Sequence, residues 1–134
     1  MIVSDASVIV SLVLPGHGGH SQAWKLLDAE ARWIAPPLWR LELISSLLQY
    51  VRHGRYTADE AHEALTFAEG VVATSAIEPY KGTFDTALEC RLSAYDAHYV
   101  ELARSIGARL ITLDQRLQKA APDVAMSPEE FLKA

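Results

Sequence analysis

Five short runs of apolar and β-branched residues, at 1–4, 32–35, 71–77, 109–112 and 123–126, are separated by stretches with helical spacing. Helices are expected at 6–14, 19–31, 37–53, 58–69, 80–91, 94–106 and 115–121, with a last turn at 128–133. That alternation leaves few folds open. Apolar strands separated by helices imply βαβ units, right-handed crossovers and a mostly parallel sheet. With 134 residues, no internal repeat and no long linker, one domain over 1–134 is expected.

Several boundaries have a local chemical cause. Thr57-Ala58-Asp59-Glu60 and Ser127-Pro128-Glu129-Glu130 have the form of capped helix starts, the second with proline at the first helical position. Gly54, Gly70 and Gly107 are expected just past helix ends, where a left-handed residue is wanted. Within 94–106, Tyr99, Leu102, Ala103 and Ile106 recur at core-facing spacing. The longest apolar runs, such as Val8 to Leu14, fall far short of the ~20 residues needed to cross a bilayer, so no membrane partner is expected. Asp5 interrupts the opening apolar run and argues against a leader peptide, and a lone cysteine, Cys90, suits a reducing cytoplasm.

In open parallel sheets functional groups gather beyond the carboxyl ends of the strands, near the point where strand order reverses. Asp5 follows the first strand and Asp114 the fourth. Asp96 opens a helix, and Glu42 is embedded among Leu38, Leu41, Leu43 and Ile44. If the fold gathers these four, two charges ~4 Å apart repel by roughly 4 kcal/mol at an effective dielectric of about 20. Such a cluster must bind protons or a cation, and an all-oxygen donor set favours Mg²⁺ or Mn²⁺.

Taken singly, each carboxylate has a structural explanation. Asp5 and Asp114 could cap the helices they precede. Ser93-Ala94-Tyr95-Asp96 fits a capping box in which Asp96 returns to the cap. Glu42 could reach solvent beside Ser45, Ser46 and Gln49. No single structural cause covers all four, because a carboxylate on a buried helix is costly without compensation. The net charge of −5 argues mildly against a general nucleic-acid binder. Setting the four aside, however, 13 acidic residues face 12 basic ones.

The segments Asp5-Ala6-Ser7-Val8, Ala35-Pro36-Pro37-Leu38-Trp39-Arg40-Leu41-Glu42, Leu92-Ser93-Ala94-Tyr95-Asp96-Ala97 and Leu110-Ile111-Thr112-Leu113-Asp114 occur in this order. Together they resemble the PIN-domain ribonucleases, specifically the VapC-type toxins of bacterial toxin–antitoxin pairs. The resemblance implies an α/β/α sandwich with a central, mostly parallel five-stranded sheet. It implies RNA cleavage dependent on Mg²⁺, which Mn²⁺ can replace, with Asp5, Glu42, Asp96 and Asp114 as metal-binding and catalytic quartet. Ser7 and Thr112 match supporting hydroxyl positions. A VapB-like antitoxin and a homodimer are the implied partners. The apolar segment 6–14 and the strip Leu47, Leu48 and Val51 agree with an interface, exceeding what a small core buries.

Other residues carry weaker signals. Arg40, Arg116 and Lys119 neighbour Glu42 or follow Asp114, and are candidates for RNA phosphate as well as ordinary exposed charges. His17 and His20 flank two glycines and suit a solvated loop. His98 follows Asp96 by two helical positions, which points it roughly 160° away around the axis. No Walker loop, dinucleotide fingerprint or zinc motif is present. The rivals are a catalytically dormant PIN-like RNA- or protein-binding module and a receiver-like phosphoacceptor. The receiver lacks its expected lysine, since Thr112-Leu113-Asp114 stands at that point.

Overall fold

Only two or three residues of each strand pair, so the helices supply most of the framework. The computed structural model describes residues 1–134. In chain order the elements are β1 (Ile2–Ser4), α1 (Ala6–Val13), α2 (His20–Ala29), β2 (Trp33–Ala35), α3 (Trp39–Arg52), α4 (Ala58–Val71), β3 (Val72–Thr74), α5 (Tyr80–Cys90), α6 (Ala94–Ile106), β4 (Leu110–Ile111), α7 (Gln115–Ala120), β5 (Ala125–Met126) and α8 (Pro128–Lys133). All five strands form one parallel sheet in the order β3-β2-β1-β4-β5.

The strand order follows from burial. β1 is apolar except for Ser4 and fully buried, as a strand covered on both faces must be. It therefore takes the centre, with Val3 in register with Ile34 of β2 on one side and Leu110 of β4 on the other. The chain moves outward from β1 to β3, then crosses back to lay β4 beside β1. The strand order thus reverses between β1 and β4, and both end on the same edge of the sheet.

α1 is almost entirely buried, with Val8, Ile9 and Leu12 at or near zero exposure. Its apolar character therefore belongs chiefly to the core. Of the strip on α3, Leu47 is buried and Leu48 is exposed. Trp33, Trp39 and Tyr99 are the largest fully buried side chains. The Trp39 indole N–H donates to Thr74 Oγ1 at 2.9 Å, fastening α3 to the end of β3.

Two local expectations are corrected. Gly70 lies inside α4, because that helix runs through Val71 and passes directly into β3 with an extended Val72. No left-handed residue is needed there, whereas Gly54 and Gly107 do adopt positive φ at helix ends. The third strand stops at Thr74 because Ser75 turns to Ile77, donating to its carbonyl at 3.1 Å and accepting from its N–H at 3.0 Å.

The capping expectation for α6 holds on one side. Ser93 Oγ accepts from the Asp96 N–H at 3.1 Å, but the Asp96 carboxylate is engaged elsewhere. Ser93→Ala should cost about 1 kcal/mol by removing this cap. A fall in the urea unfolding midpoint with an unchanged slope checks it.

Candidate metal-binding acidic site

Asp5 leaves the carboxyl end of β1 at the N-cap position of α1, yet its side chain does not cap that helix. Its Oδ2 instead accepts from Thr112 Oγ1 at 2.7 Å and from Ser7 Oγ at 2.9 Å. Each hydroxyl has a single proton, and both protons are committed to this one oxygen. The hydroxyl oxygens in turn accept backbone N–H groups, Asp114 on Thr112 and Leu113 on Ser7, both at 3.1 Å. Asp5 is therefore fixed by the turn that follows β4.

Glu42 projects from the first turn of α3, where the Tyr99 hydroxyl donates to its Oε1 at 2.7 Å. Tyr99 is buried on α6, three residues after Asp96, so one helix face carries both groups. Spacing marks Tyr99 as a core residue; the i, i+3 relation to Asp96 was the available signal for its second role. Asp96 Oδ2 accepts from Arg116 Nη2 at 3.1 Å, and the same nitrogen lies 3.8 Å from Asp114 Oδ2. Asp114 does cap its helix, its Oδ1 accepting from the N–H groups of Arg116 at 2.9 Å and Leu117 at 3.3 Å. Capping leaves its second oxygen turned toward the guanidinium.

The electrostatics divide the quartet. Burial raises the Asp5 carboxyl above its ordinary range; the two hydroxyls partly offset this, and the Asp96 charge adds to it. Burial also pushes Glu42 up to about 7, eased by Tyr99 and reinforced by the charges of Asp5 and Asp96. The Tyr99 hydroxyl is held well above its usual range by burial and the Glu42 charge. Asp5, Glu42 and Asp96 thus lie in one shared field, while Asp114 joins through Arg116 and Thr112. No group of three or more His, Cys, Asp or Glu side chains is drawn together tightly enough to hold a metal ion in this arrangement. Arg116 instead provides positive charge to Asp96 and Asp114. No lysine or arginine pairs with Asp5 or Glu42, whose side-chain partners are all neutral hydroxyls. Uncompensated, oxygen-only carboxylates suit a hard divalent cation.

The remaining candidates separate by position. Arg40 is engaged with Glu69 at 3.0 Å and Thr74 Oγ1 at 3.1 Å, which directs it toward α4 and the end of β3. Lys119 is exposed in the last turn of α7. His98 is buried between α5 and α6, its Nδ1 2.8 Å from Thr83 Oγ1 and its ring stacked on Tyr80, and it makes no contact with the quartet.

Comparison with known proteins agrees with this fold. The family model described as PIN domain matches residues 2–122. The chain belongs to the PIN-domain family. It is 34% identical over 133 residues to Ribonuclease VapC3 of Pyrobaculum aerophilum, covering 90% of this chain and 95% of that one. It is 36% identical over 119 residues to Ribonuclease VapC9 of Mycobacterium tuberculosis, covering 87% and 88%. Among solved structures, PAE2754 from Pyrobaculum aerophilum superposes with a TM-score of 0.79 at 23% identity, covering 98% of this chain and 93% of that one. VapC20 of Mycobacterium tuberculosis, a toxin that cleaves the sarcin-ricin loop, gives 0.69 at 16% identity, covering 90% and 95%. These two likenesses concern the fold, a PIN-type parallel sheet flanked by helices.

The raised Glu42 carboxyl makes the stability of this PIN domain pH-dependent. The native chain keeps a proton that the unfolded chain releases from about pH 4.5 upward. Stability attributable to Glu42 is therefore full below pH 4.5 and lost as pH rises to about 7. The side chain is only half-buried, so water screens part of the effect. In metal-free buffer, Glu42→Gln should flatten the fall in unfolding free energy across that window, measured by denaturant titration at several pH values.

Proposed function

We propose that this chain, as a single PIN domain over 1–134, is a metal-dependent endoribonuclease toxin that hydrolyses RNA phosphodiester bonds and is neutralised by a cognate VapB-like antitoxin. The observation that carries the proposal is that Asp5, at the strand-order reversal, and Glu42 are held by neutral hydroxyls alone, with no basic partner. The ribonuclease names of its VapC relatives support the same reading. Drawn closer together than they stand here, Asp5, Asp96 and Glu42 would hold Mg²⁺, or Mn²⁺ in its place, with Asp114 completing the acidic set. When bound, the cation supplies Lewis acidity toward a phosphodiester and offsets charge developing there.

The chain's own residues do the positioning. Ser7 and Thr112 hold Asp5 Oδ2, so the carboxylate cannot swing away from the edge of the sheet. Tyr99 fixes Glu42 in the same way. Release of Arg116 from Asp96 and Asp114 would free both carboxylates and offer the guanidinium to an RNA phosphate, for which its bidentate donors are suited.

Two exposed surfaces support the partner assignments. Tyr80, Phe84 and Leu88 form an exposed row on α5, at i, i+4 and i+8 with 64%, 67% and 68% exposure. An apolar row of this kind suits self-pairing across a two-fold axis in a homodimer. A separate cavity of about 480 Å³ between α1, α2 and α4, lined by Leu12, Trp24, Tyr56 and Phe67, offers an aromatic surface to an antitoxin. No helix is long and apolar enough to cross a membrane.

Asp5→Asn should abolish Mn²⁺-dependent cleavage of a structured RNA panel while leaving thermal unfolding of the metal-free protein near that of the parent. Mn²⁺ should raise the parent's unfolding temperature and leave the variant's unchanged. Retained metal-dependent cleavage in Asp5→Asn would overturn the assignment. Phe84→Glu should shift the protein from dimer to monomer in light scattering without loss of secondary structure; an unchanged mass would remove α5 as the interface.

A further inference from the structure

The segment joining α1 to α2 contains His17, which the mechanism above does not use. Its placement is specific. Ser11 is fully buried on α1, and its Oγ donates to the Gly18 carbonyl at 2.7 Å. His17 Nδ1 lies 2.9 Å from that Oγ and 3.2 Å from the Gly18 carbonyl oxygen. A carbonyl can only accept, and the single Ser11 proton is already directed to Gly18. The hydrogen between His17 and these two oxygens must therefore sit on Nδ1. This anchor fixes the tautomer and leaves Nε2 with no hydrogen-bond partner in the protein.

The loop is held from its other side as well. Gly19 has φ +90°, and a Cβ built there would lie 2.8 Å from Leu113 Cδ1. The loop is thus seated directly on the turn between Thr112 and Asp114. His17, so held, lines a cavity of about 340 Å³ together with Ser7, Glu42, Ser45 and Ser46. Its volume falls within the range of small-molecule sites, of order 300 Å³ or more. No lysine or arginine lines it, and Glu42 does. A phosphate would meet a carboxylate there without a countercharge, whereas a neutral hydroxyl-bearing group would meet the serine hydroxyls and His17.

We propose that His17 is a substrate-contact residue whose Nε2 hydrogen-bonds a ribose 2′-hydroxyl of the strand lying beside Glu42, setting preference for RNA over DNA at that nucleotide. The proposal rests on the ribonuclease function above and adds a determinant to it. A 2′-hydroxyl both donates and accepts, so the contact does not depend on the charge of the ring.

The test uses the full chain with Mn²⁺ and synthetic RNA hairpins whose cut sites are first mapped with the parent. Each hairpin is then remade with a single 2′-deoxynucleotide at each position flanking the cut. In the parent, one such position should slow cleavage by about five- to tenfold, the worth of one hydrogen bond. His17→Asn keeps a polar atom where Nδ1 sits but does not reach further. It should cut the all-ribose hairpin more slowly by that same factor and show no added penalty at the deoxy position. His17→Gln, which extends to the Nε2 position, should restore part of the discrimination. The ribose-to-deoxyribose ratio is internal to each variant, so a smaller folded fraction does not alter it. Parent-like discrimination at every position in His17→Asn would overturn the proposal, whatever its overall rate. Absence of metal-dependent cleavage by the parent would remove the ribonuclease assignment itself, and this proposal with it.

Discussion

The two hydroxyl contacts to Asp5 Oδ2 hold the acidic site to the fold. Thr112 and Ser7 each donate to that oxygen while accepting a backbone N–H from the turn after β4. One buried carboxylate therefore sets the relative position of β1, α1 and the β4–α7 turn. A desolvated carboxylate is costly, and two short hydroxyl hydrogen bonds make the ionised form tolerable without neutralising it. Neutral donors orient the charge and leave it available. Had a lysine occupied either position, the same fold would hold Asp5 in a closed ion pair.

Glu42 and Asp96 follow the same logic with different supports. Tyr99 holds Glu42 by a neutral hydroxyl, and the Glu42 carboxyl rises to about 7 because it is desolvated and shares a field with Asp5 and Asp96. At the outer side, Arg116 spans Asp96 and Asp114 and is itself mostly exposed. The acidic edge thus grades from buried carboxylates with neutral partners to more exposed ones with an arginine counter-charge. The positive charge on this edge lies on its solvent side.

Much of the fold was legible because each strand is an apolar run terminated by a recognisable break. Thr57 and Glu60 do form a reciprocal capping box, and Ser127 caps α8. The failures arise where tertiary context replaced a local signal. Gly70 stayed helical because α4 continues into β3 without a turn. The apolarity of 6–14 chiefly reported central burial in the sheet–helix core. In the site, the identity of the carboxylates could be read from residue type and position, but their supports could not. Tyr99 looked like core because it is core, and its hydroxyl acts only through a helix 57 positions away in sequence. Arg40 neighbours Glu42 along the chain, yet the helix turns it toward Glu69. His17 looked like a solvated loop until folding set that loop against Leu113.

The contacts that complete the Asp5 environment join residues 105 to 107 apart in sequence. During synthesis the first strand and its helix emerge long before Thr112 exists, and loop closure over such a distance is slow to gain compensating contacts. The acidic cluster therefore cannot assemble before the turn after β4 has been made. A chain still short of its fourth strand carries Asp5 without the hydroxyl that orients it from across the sheet. Until Thr112 and the turn after β4 have been made, a nascent chain consequently carries Asp5 without an ordered centre around it.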